Sequence, residues 1–365
     1  MSQTPRVAYV ITDSGTGGAE RKLTDILTHV NRAAAVPAGV VVLKKKRETA
    51  VEWEKAGVPV FELGLGRWPS PGNTAKLRAT LKELGADVVH SMTLRSVLLS
   101  RATRKRTTDF KLVSAPCLNF RSMPFFVHWL LRGGRDWDDA VICESTATRE
   151  FLVENLRHDP KKALYVPNSI DAQRFAYNET ARARVRKEWG IGDNEILVGT
   201  VGRLHEQKGF DVFIKALKEL ERFPVKLRGV IVGEGEQEKR LKGLADGLPV
   251  LFPGKQRDMA GVLSAFDVYV QSSRYEGMSR ALMEAMAAGR PIVATAVDGT
   301  MDLAQDGENM LLCRPNDAHS LALGIGTLAE KSELRKKLSS GARSTVEQFS
   351  VEKMVRRLEK IYQEL

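Results

Sequence analysis

The sequence predicts an α/β protein of two doubly wound domains, each built on a parallel sheet with helices on its faces. The chain has 365 residues, 43% of them hydrophobic, and a single core stops growing at roughly 250–300 residues. Short apolar runs alternate with segments of helical periodicity, which is the pattern of βαβ units. The polar residues 168–189 interrupt this alternation, which then begins again. Two linked domains also leave a cleft between them, where small molecules commonly bind.

The first series begins with a buried strand, predicted at the mostly apolar residues 6–12. In residues 20–30, apolar side chains recur at the i, i+3, i+4 and i+7 positions of an amphipathic helix. By the same reasoning, helices are predicted at residues 48–56, 74–84, 94–105 and from residue 145. The strands that alternate with them are predicted at residues 38–43, 58–61, 87–90, 111–114, 140–143 and 164–166.

The second series follows the polar linker, with strands predicted at residues 195–201, 226–232, 250–252, 268–270, 291–294 and 310–312. Helices are predicted at residues 210–220, 236–244 and 279–288, the last of them ended by Gly289. A further helix at residues 351–364 comes after both series.

Cysteine usage and hydropathy indicate the compartment. The three cysteines are far apart and odd in number, which argues against a disulfide framework and against a thiolate metal site. The first apolar stretch ends at Ile11, too soon for a signal peptide, and no apolar run of about 18 residues could cross a membrane. We therefore expect a cytoplasmic protein.

The net charge of +11 comes almost entirely from the first half of the chain. Residues 1–185 contain 29 Lys and Arg against 19 Asp and Glu, whereas residues 186–365 contain 27 against 26. Basic clusters lie at residues 44–47 and 101–106. They indicate either an ordinary solvated surface or a face for anionic lipid, a phosphorylated substrate or nucleic acid. No nucleic-acid-binding motif accompanies them, so no nucleic acid is expected as a partner.

Two loops carry residues that could bind phosphate. Gly17 and Gly18 lie between the first strand and its helix, where glycines let the backbone approach a ligand and helix amides point at anions. The dinucleotide fingerprint fails there, because Glu20 stands at its third glycine, and a tight structural turn is the simpler interpretation. Arg203 and Lys208 follow the strand at residues 195–201, and cations at the carboxyl ends of parallel strands bind phosphates. Surface cations on a loop are the alternative.

A third segment, residues 272–289, supplies two carboxylates. Glu276 lies in the loop and Glu284 in the helix, eight residues apart, which is just over two turns. Both carboxylates could therefore face one pocket, and one could hold a ribose diol. Amides near the helix start could bind a phosphate, namely those of Met278, Ser279 and Arg280. A buried structural glutamate is the alternative for Glu284, but an acid on a mostly apolar helix needs a partner.

Together these residues resemble the retaining nucleotide-sugar glycosyltransferases of family 4, glycosyltransferase group 1, which have the GT-B fold of two facing Rossmann-like domains. The most specific match is Glu276 and Glu284, separated by seven residues and followed by Ala285-Met-Ala-Ala-Gly-Arg-Pro. Further matches, in the same order as in the family, lie at residues 17–20, 166–171 and 202–209. The resemblance covers nearly the whole chain.

The resemblance implies a role for each matching residue. The donor diphosphate would be bound by Arg203, Lys208, Gly17, Gly18, Met278, Ser279 and Arg280. Glu284 would hold the ribose, and Glu276 would contact hydroxyls of the transferred sugar as a catalytic residue. The nucleotide base would lie beside Phe252, Pro253, Gly254 and Lys255. His90 is the second catalytic candidate, although the usual second histidine after it is replaced here by Met92, and a strand-end structural histidine is the alternative.

The resemblance also implies domain boundaries and a metal-independent reaction. Residues 1–170 with 350–365 would form the acceptor-binding domain, and residues 171–349 the nucleotide-sugar-binding domain. Fixed cations and helix dipoles would stabilise the departing diphosphate, so we expect neither a metal nor another cofactor. Asp136 and Asp138 could suggest an acidic metal motif, but they directly precede a strand, where polar residues are expected.

The acceptor is expected on the basic N-terminal domain. Residues 120–132 place aromatic side chains between arginines, a mixture typical of a membrane interface or of a helix packed on its domain. We expect a UDP- or GDP-sugar donor and a glycan or lipid-linked acceptor, as in cell-surface polysaccharide or lipopolysaccharide biosynthesis. An anionic membrane surface, bound through the basic N-terminal domain, is a further candidate partner. The alternatives are a non-catalytic nucleotide-sugar-binding protein and a GT-B enzyme of another type, such as a phosphorylase or an epimerase.

Overall fold

A computed structural model describes residues 4–15, 17–66, 70–117, 123–221 and 224–365. The chain forms two compact units, one of residues 1–168 with 351–365 and one of residues 169–350. The sequence analysis placed these divisions at residues 170/171 and 349/350. Among the described residues, no helix is both long enough and apolar enough to cross a membrane.

The N-terminal unit is built on seven parallel strands in the order β3-β2-β1-β4-β5-β6-β7. The strands are β1 Arg6–Ile11, β2 Val36–Val42, β3 Val60–Glu62, β4 Val88–Met92, β5 Lys111–Ala115, β6 Ala140–Cys143 and β7 Ala163–Tyr165. Its helices are α1 Gly18–His29, α2 Glu48–Lys55, α3 Pro71–Glu83, α4 Leu94–Arg104, α5 Phe125–Gly133 and α6 Thr146–Glu154.

The C-terminal unit is built on six parallel strands in the order β10-β9-β8-β11-β12-β13. The strands are β8 Ile196–Val201, β9 Leu227–Val232, β10 Val250–Leu251, β11 Val268–Gln271, β12 Ile292–Thr295 and β13 Leu311–Cys313. The helices are α7 Glu179–Glu188, α8 Phe210–Glu219, α9 Glu238–Leu244, α10 Met259–Ala265, α11 Arg280–Ala287, α12 Asp298–Met301, α13 Ala318–Glu330 and α14 Ser332–Val346.

The last helix, α15 Val351–Glu364, belongs to the N-terminal unit although the chain leaves that unit at residue 168. Its apolar side chains recur at helical spacing and are buried in one core with those of α1 and β1; they are Val351, Met354, Val355, Leu358, Ile361 and Tyr362. Glu359 adds a polar contact, because its Oε1 accepts a hydrogen bond of 2.6 Å from the amide of Asn31. The amphipathic period therefore fixes where the chain end packs.

The polar residues 168–189, predicted as a linker, contain the helix α7. Arg182 and Arg186 on this helix each donate to the carboxylate of Asp267, at 2.6 and 2.8 Å. Arg182 also donates to the carbonyl of Ala265 at 2.9 Å. Because arginines make these contacts, hydrophobic periodicity gave little sign of the helix.

The basic cluster predicted at residues 101–106 is not a single surface. Arg101 is buried, and its guanidinium forms a two-pronged ion pair with the buried carboxylate of Asp138. The prediction of a basic surface is therefore wrong for Arg101. The pair also explains Asp138, whose carboxylate additionally accepts a hydrogen bond of 2.7 Å from Ser114 Oγ. A buried arginine of this kind needs such a partner, because an unpaired charge in the interior is costly.

Candidate active site

The candidate site lies at the carboxyl ends of β8 and β11, which are adjacent in the sheet and mark the point where the strand order reverses. This is the place where doubly wound sheets bind ligands. Lys208 comes from the loop after β8, and Glu276 comes from the loop after β11. Their side chains form an ion pair, with 2.5 Å between Lys208 Nζ and Glu276 Oε1. The structure thus brings together two of the residues that the sequence analysis selected.

Glu276 is buried, and several donors surround its carboxylate. Its side chain is only 7% exposed. Ser273 Oγ donates to Glu276 Oε1 at 2.7 Å, and Gln207 Nε2 donates to Glu276 Oε2 at 3.3 Å. Together with the Lys208 ammonium, these contacts supply the partners that a buried carboxylate requires. The carboxylate is therefore held in one orientation.

Hydrogen bonds to backbone carbonyls hold the two loops against each other. Ser272 Oγ donates to the carbonyl of Lys208 at 2.9 Å, and the amide of Arg274 donates to the carbonyl of Gln207 at 2.8 Å. Gly209 has a φ of +61°, and a Cβ at this position would lie 2.1 Å from the carbonyl oxygen of Ser272. Only glycine allows both this backbone conformation and this approach. The Lys208-Gly209 pair in the sequence therefore has a structural reason.

A second ion pair joins the loop after β11 to the start of α8, and the sequence analysis missed it. Arg274 forms two parallel hydrogen bonds with the carboxylate of Asp211 in the first turn of α8, at 2.9 and 2.8 Å. Burial opposes ionisation, but the hydrogen bonds from Arg274 lower the pKa of the Asp211 carboxyl. Such paired geometry fixes orientation as well as distance. Opposite charges in the loop after β11 and at the start of α8 were the available signal, but charge alone does not identify which residues pair.

The helix α11 begins directly after the loop that carries Glu276. Ser279 is its N-cap, and Ser279 Oγ accepts a hydrogen bond of 3.3 Å from the amide of Leu282. Met278, Ser279 and Arg280 therefore lie at the helix N-terminus, as expected for an anion-binding segment. The helix α12 approaches this loop closely, because a Cβ on Gly299 would lie 1.5 Å from the carbonyl oxygen of Gly277.

Glu284 lies in the second turn of α11 and is half-buried. Burial is the main reason that the pKa of the Tyr269 phenol is raised, and the negative charges of Glu276 and Glu284 raise it further. Tyr269 lies in β11, the strand that precedes the loop and the helix that carry the two acids. Both carboxylates are therefore near enough to Tyr269 for their charges to act on its phenol.

Arg203 follows β8 and is exposed to solvent. Among the described residues, its guanidinium has no hydrogen-bond or ion-pair partner. The loop around it is packed tightly, because a Cβ on Gly233 would lie 1.9 Å from the carbonyl oxygen of Gly202. A charged side chain is thus presented to solvent from a rigid backbone.

The segment predicted to lie beside the nucleotide base follows β10, at the same edge of the sheet. It comprises Phe252, Pro253, Gly254 and Lys255, of which Lys255 is exposed. The carbonyl of Gly254 accepts a hydrogen bond of 3.0 Å from the amide of Gly233. This bond joins the segment to the loop after β9, next to the Arg203 loop in the sheet order.

His90 lies within β4, whereas the sequence analysis ended this strand at His90. The imidazole is fully buried, and 2.7 Å separate His90 Nδ1 from the hydroxyl of Tyr362 on α15. Burial, to which the charge of Lys22 adds, lowers the pKa of His90 to about 3. The ring is therefore neutral at physiological pH. These contacts are those of a core residue, and the catalytic role of His90 stays a prediction.

Gly17 and Gly18 lie at the start of α1, with Gly17 as its N-cap, and both are exposed. A Cβ on Gly17 would lie 2.4 Å from Glu20 Oε2, whereas one on Gly18 would meet no described atom within 4 Å. Thr16, in the same turn, lies outside the described residues. The two glycines are thus at the carboxyl end of β1, and their predicted part in diphosphate binding stays a prediction.

Metal ligands do not gather in the part of the chain that the structure describes: it contains no cluster of three or more His, Cys, Asp or Glu side chains that could hold an ion. Asp138, considered above as part of an acidic motif, is instead the buried partner of Arg101.

Comparison with known proteins follows the same division into two units. The family described as "Glycosyltransferase Family 4" matches residues 16–174, and the family "Glycosyl transferases group 1" matches residues 181–345. Among curated proteins, the UDP-Gal:alpha-D-GlcNAc-diphosphoundecaprenol alpha-1,3-galactosyltransferase of Escherichia coli is 26% identical, over 77% of this chain and 76% of the relative. The lipopolysaccharide core biosynthesis glycosyltransferase LpsE of Rhizobium meliloti is 35% identical, over 43% of this chain and 46% of the relative.

Coverage differs between the sequence and the structure comparisons. For three further curated glycosyltransferases, the chain spans only 59%, 51% and 60% of their length. The solved structure of Anabaena Alr3699/HepE in complex with UDP matches the fold with a TM-score of 0.86 at 22% identity, over 99% of this chain and 100% of that chain. The two family matches together span most of the chain, and the fold is shared along all of it. The chain belongs to the family 4, group 1 glycosyltransferases and has their GT-B fold of two Rossmann-like domains.

Proposed function

We propose that this chain is a retaining, metal-independent glycosyltransferase that moves a sugar from a nucleotide diphosphate sugar to a glycan or lipid-linked acceptor. The observation that carries the proposal is the ion pair between Lys208 and Glu276 at the carboxyl ends of β8 and β11. Arg203, in the same loop as Lys208, adds an exposed cation. Two cations for a diphosphate thus come from one loop, and a carboxylate able to accept hydrogen bonds from sugar hydroxyls lies beside them.

The chemistry explains why these charges would matter. Breaking the bond between the sugar and the diphosphate leaves negative charge on the departing phosphate oxygen. Arg203 and Lys208 would stabilise that charge, a task that a bound metal ion performs in other phosphate-handling enzymes. The Lys208 ammonium has three donors, so it can bind a phosphate oxygen while one donor still contacts Glu276. In this proposal the charge stabilisation comes from the protein.

The remaining site residues are proposed to orient the donor. Glu284 would hold the ribose hydroxyls, and the N-terminus of α11 would contact the diphosphate through the amides of Met278, Ser279 and Arg280. Glu276 would bind hydroxyls of the transferred sugar rather than attack its anomeric carbon. The departing phosphate oxygen would then accept the proton of the acceptor hydroxyl on the same face of the sugar, so that the anomeric configuration is retained.

The relatives favour particular substrates. The name of the Escherichia coli relative specifies a UDP-sugar donor and a diphosphoundecaprenol-linked acceptor, and the Anabaena structure holds UDP. The Rhizobium meliloti relative is named for lipopolysaccharide core biosynthesis. We therefore propose a UDP-sugar donor for this chain and a lipid-linked acceptor in cell-surface polysaccharide or lipopolysaccharide biosynthesis. Such an acceptor would place the enzyme at the cytoplasmic face of a membrane.

Donor use tests the proposal directly. A panel of UDP- and GDP-sugars is incubated with the protein in EDTA, and proton NMR records nucleotide release together with the anomer of the sugar first formed. The proposal predicts release from at least one UDP-sugar with the α anomer as the first product of an α-linked donor. Loss of activity in EDTA would contradict metal independence, and an initial β anomer would contradict retention.

A further inference from the structure

Three large apolar side chains are exposed together on the helix α5. The exposed fractions are 82% for Phe125, 57% for Phe126 and 68% for Trp129. The other exposed large hydrophobic residues among those described lie on five different segments and are Val51, Tyr177, Leu244, Met301 and Leu323. Scattered apolar side chains are ordinary on a protein surface, whereas a cluster of three aromatic ones indicates an interaction surface.

The inner face of α5 is firmly attached to the N-terminal unit. Val127 and Leu131 are buried in a small core with residues of β6 and α6. The guanidinium of Arg101, itself buried against Asp138, donates to the carbonyl of Leu131 at 2.9 Å. The helix is thus held on one side by apolar packing and near its end by a buried hydrogen bond. Its aromatic face therefore points outward because the opposite face is already used.

The charges around this aromatic face are mainly positive. The helix α5 contains no acidic residue, and the exposed Arg132 lies three residues after Trp129, at the same face. Asp136 is the nearest exposed acid in sequence, and it pairs with Arg135 at 3.6 Å. Cations flanking exposed aromatic side chains match an interface between anionic headgroups and apolar chains.

Charge also decides between possible occupants of the surface. The N-terminal unit holds 30 of the 56 Lys and Arg residues and 20 of the 45 Asp and Glu residues, a balance of +10. A second copy of the chain would bring a like charge to the same face, which opposes association. An anionic lipid surface brings the opposite charge and takes up the aromatic side chains as well.

We propose that the aromatic face of α5, formed by Phe125, Phe126 and Trp129, inserts into the interfacial region of an anionic bilayer while Arg132 lies among the headgroups. A helix of nine residues is about 13 Å long and cannot cross a bilayer, so it lies in the plane of the interface. The inference rests on the proposed function for its purpose, which is to bring the N-terminal unit to a lipid-linked acceptor. Residues 118–122, which come before α5 in the sequence, lie outside the described residues.

Vesicle cosedimentation of the full chain tests this surface. The vesicles contain equal amounts of phosphatidylcholine and phosphatidylglycerol, or phosphatidylcholine alone, and the variant carries Phe125→Ser, Phe126→Ser and Trp129→Ser. The wild type is expected to bind the anionic vesicles, and the triple variant is expected to bind them at least tenfold more weakly. A matched control with Met301→Ser and Leu323→Ser, which removes exposed apolar side chains from the C-terminal unit, should bind as the wild type does. Trp129→Phe should bind within about threefold of the wild type.

Three outcomes overturn the inference. The first is unchanged binding by the triple variant, and the second is no binding by the wild type at low salt. The third is a wild-type dimer that becomes monomeric in the triple variant without a change in vesicle binding, which would make a second copy the occupant. Thermal unfolding and UDP binding, measured on the same samples, show whether the triple variant is folded. UDP-sugar turnover is measured separately. If the protein binds vesicles through α5 but turns over no nucleotide sugar, the proposed function is refuted and the membrane-binding surface is still supported.

Discussion

Lys208 Nζ lies 2.5 Å from Glu276 Oε1, and this ion pair joins the loops that follow two adjacent strands of the C-terminal sheet. The pair has one partly exposed partner, since the side chain of Lys208 is 19% exposed and that of Glu276 is 7% exposed. A bound diphosphate can therefore approach the ammonium while Ser273 and Gln207 hold the carboxylate in its orientation. The two residues would act as one unit, and their substitutions should not have independent effects.

Replacement of Glu276 should separate sugar handling from nucleotide binding. Glu276→Gln is expected to reduce turnover of a UDP-sugar by about 100-fold or more, because a catalytic contact to the sugar is lost. The affinity for UDP itself should stay the same or rise a few fold, since the Lys208 ammonium no longer shares its charge with a carboxylate. Titration calorimetry with UDP and a turnover assay measure the two effects. Glu308→Gln, at an exposed position, is the control, and an equal loss of UDP affinity and turnover would contradict the expected roles.

Replacement of Lys208 should destabilise the protein through its partner. Lys208→Met leaves the buried Glu276 carboxylate without its cation, at an expected cost of about 1–3 kcal/mol in the free energy of unfolding. In the double variant Lys208→Met/Glu276→Gln, most of that loss should be regained, because no unpaired charge remains. UDP affinity should be lower than that of the wild type in both variants, because both lack the Lys208 ammonium. Urea unfolding followed by circular dichroism measures the stabilities, and additive losses in the double variant would show that the pair is not coupled.

The close approach at Gly209 predicts a large effect of a small substitution. Gly209→Ala forces a side chain to a φ of +61° and to 2.1 Å from the carbonyl oxygen of Ser272. We expect a loss of about 1–3 kcal/mol in the free energy of unfolding and weaker UDP binding, because Lys208 is displaced. Gly243→Ala is the matched control, since that glycine lies in α9 and a Cβ there meets no described atom within 4 Å. If the two variants are equally stable, the proposed constraint at Gly209 is wrong.

The buried histidine in β4 predicts a dependence of stability on acidity. The pKa of His90 is lowered by burial to about 3 in the folded state, against about 6.5 in an unfolded chain. Between these values the unfolded state binds a proton that the folded state does not, so stability decreases as the pH falls from about 6.5 toward 3. His90→Gln should reduce this slope by up to about 1.4 kcal/mol per pH unit. Urea unfolding at pH 7, 6 and 5 gives the slopes, and identical slopes would contradict the assignment.

Much of the fold could be predicted from the sequence because it depends on local patterns. Alternating apolar runs and helical periods predicted both parallel sheets, and the amphipathic residues 351–364 predicted the final helix. The helix α7 was missed because its contacts run through arginines to Asp267, a residue 85 positions from Arg182. The burial of Arg101 was missed for the same reason, since its partner Asp138 is distant in sequence. Hydrophobic periodicity carries no information about such pairs.

The candidate site was predictable only in part. Lys208 and Glu276 were selected from loops at strand ends and from the family resemblance, and the strand order explains why the two loops meet. The pairing of Arg274 with Asp211 could not be predicted, because other charged residues lie close to each of them in the sequence. The position of His90 also differs, since β4 extends two residues further than the apolar pattern indicated. Polar residues such as Ser91 continue the strand because neighbouring strands bury it.

UDP binding by an Arg203→Ala variant tests most directly whether the carboxyl edge of the C-terminal sheet is the donor site. Arg203 is exposed and lacks a partner among the described residues, so its removal should leave the melting temperature unchanged. Calorimetric titration in EDTA is expected to show UDP binding to the wild type, affinity reduced about 10- to 100-fold in Arg203→Ala, and normal affinity in Lys215→Ala, a control at another exposed cation of the same unit. Wild-type affinity in Arg203→Ala, or no UDP binding by the wild type, would contradict the account.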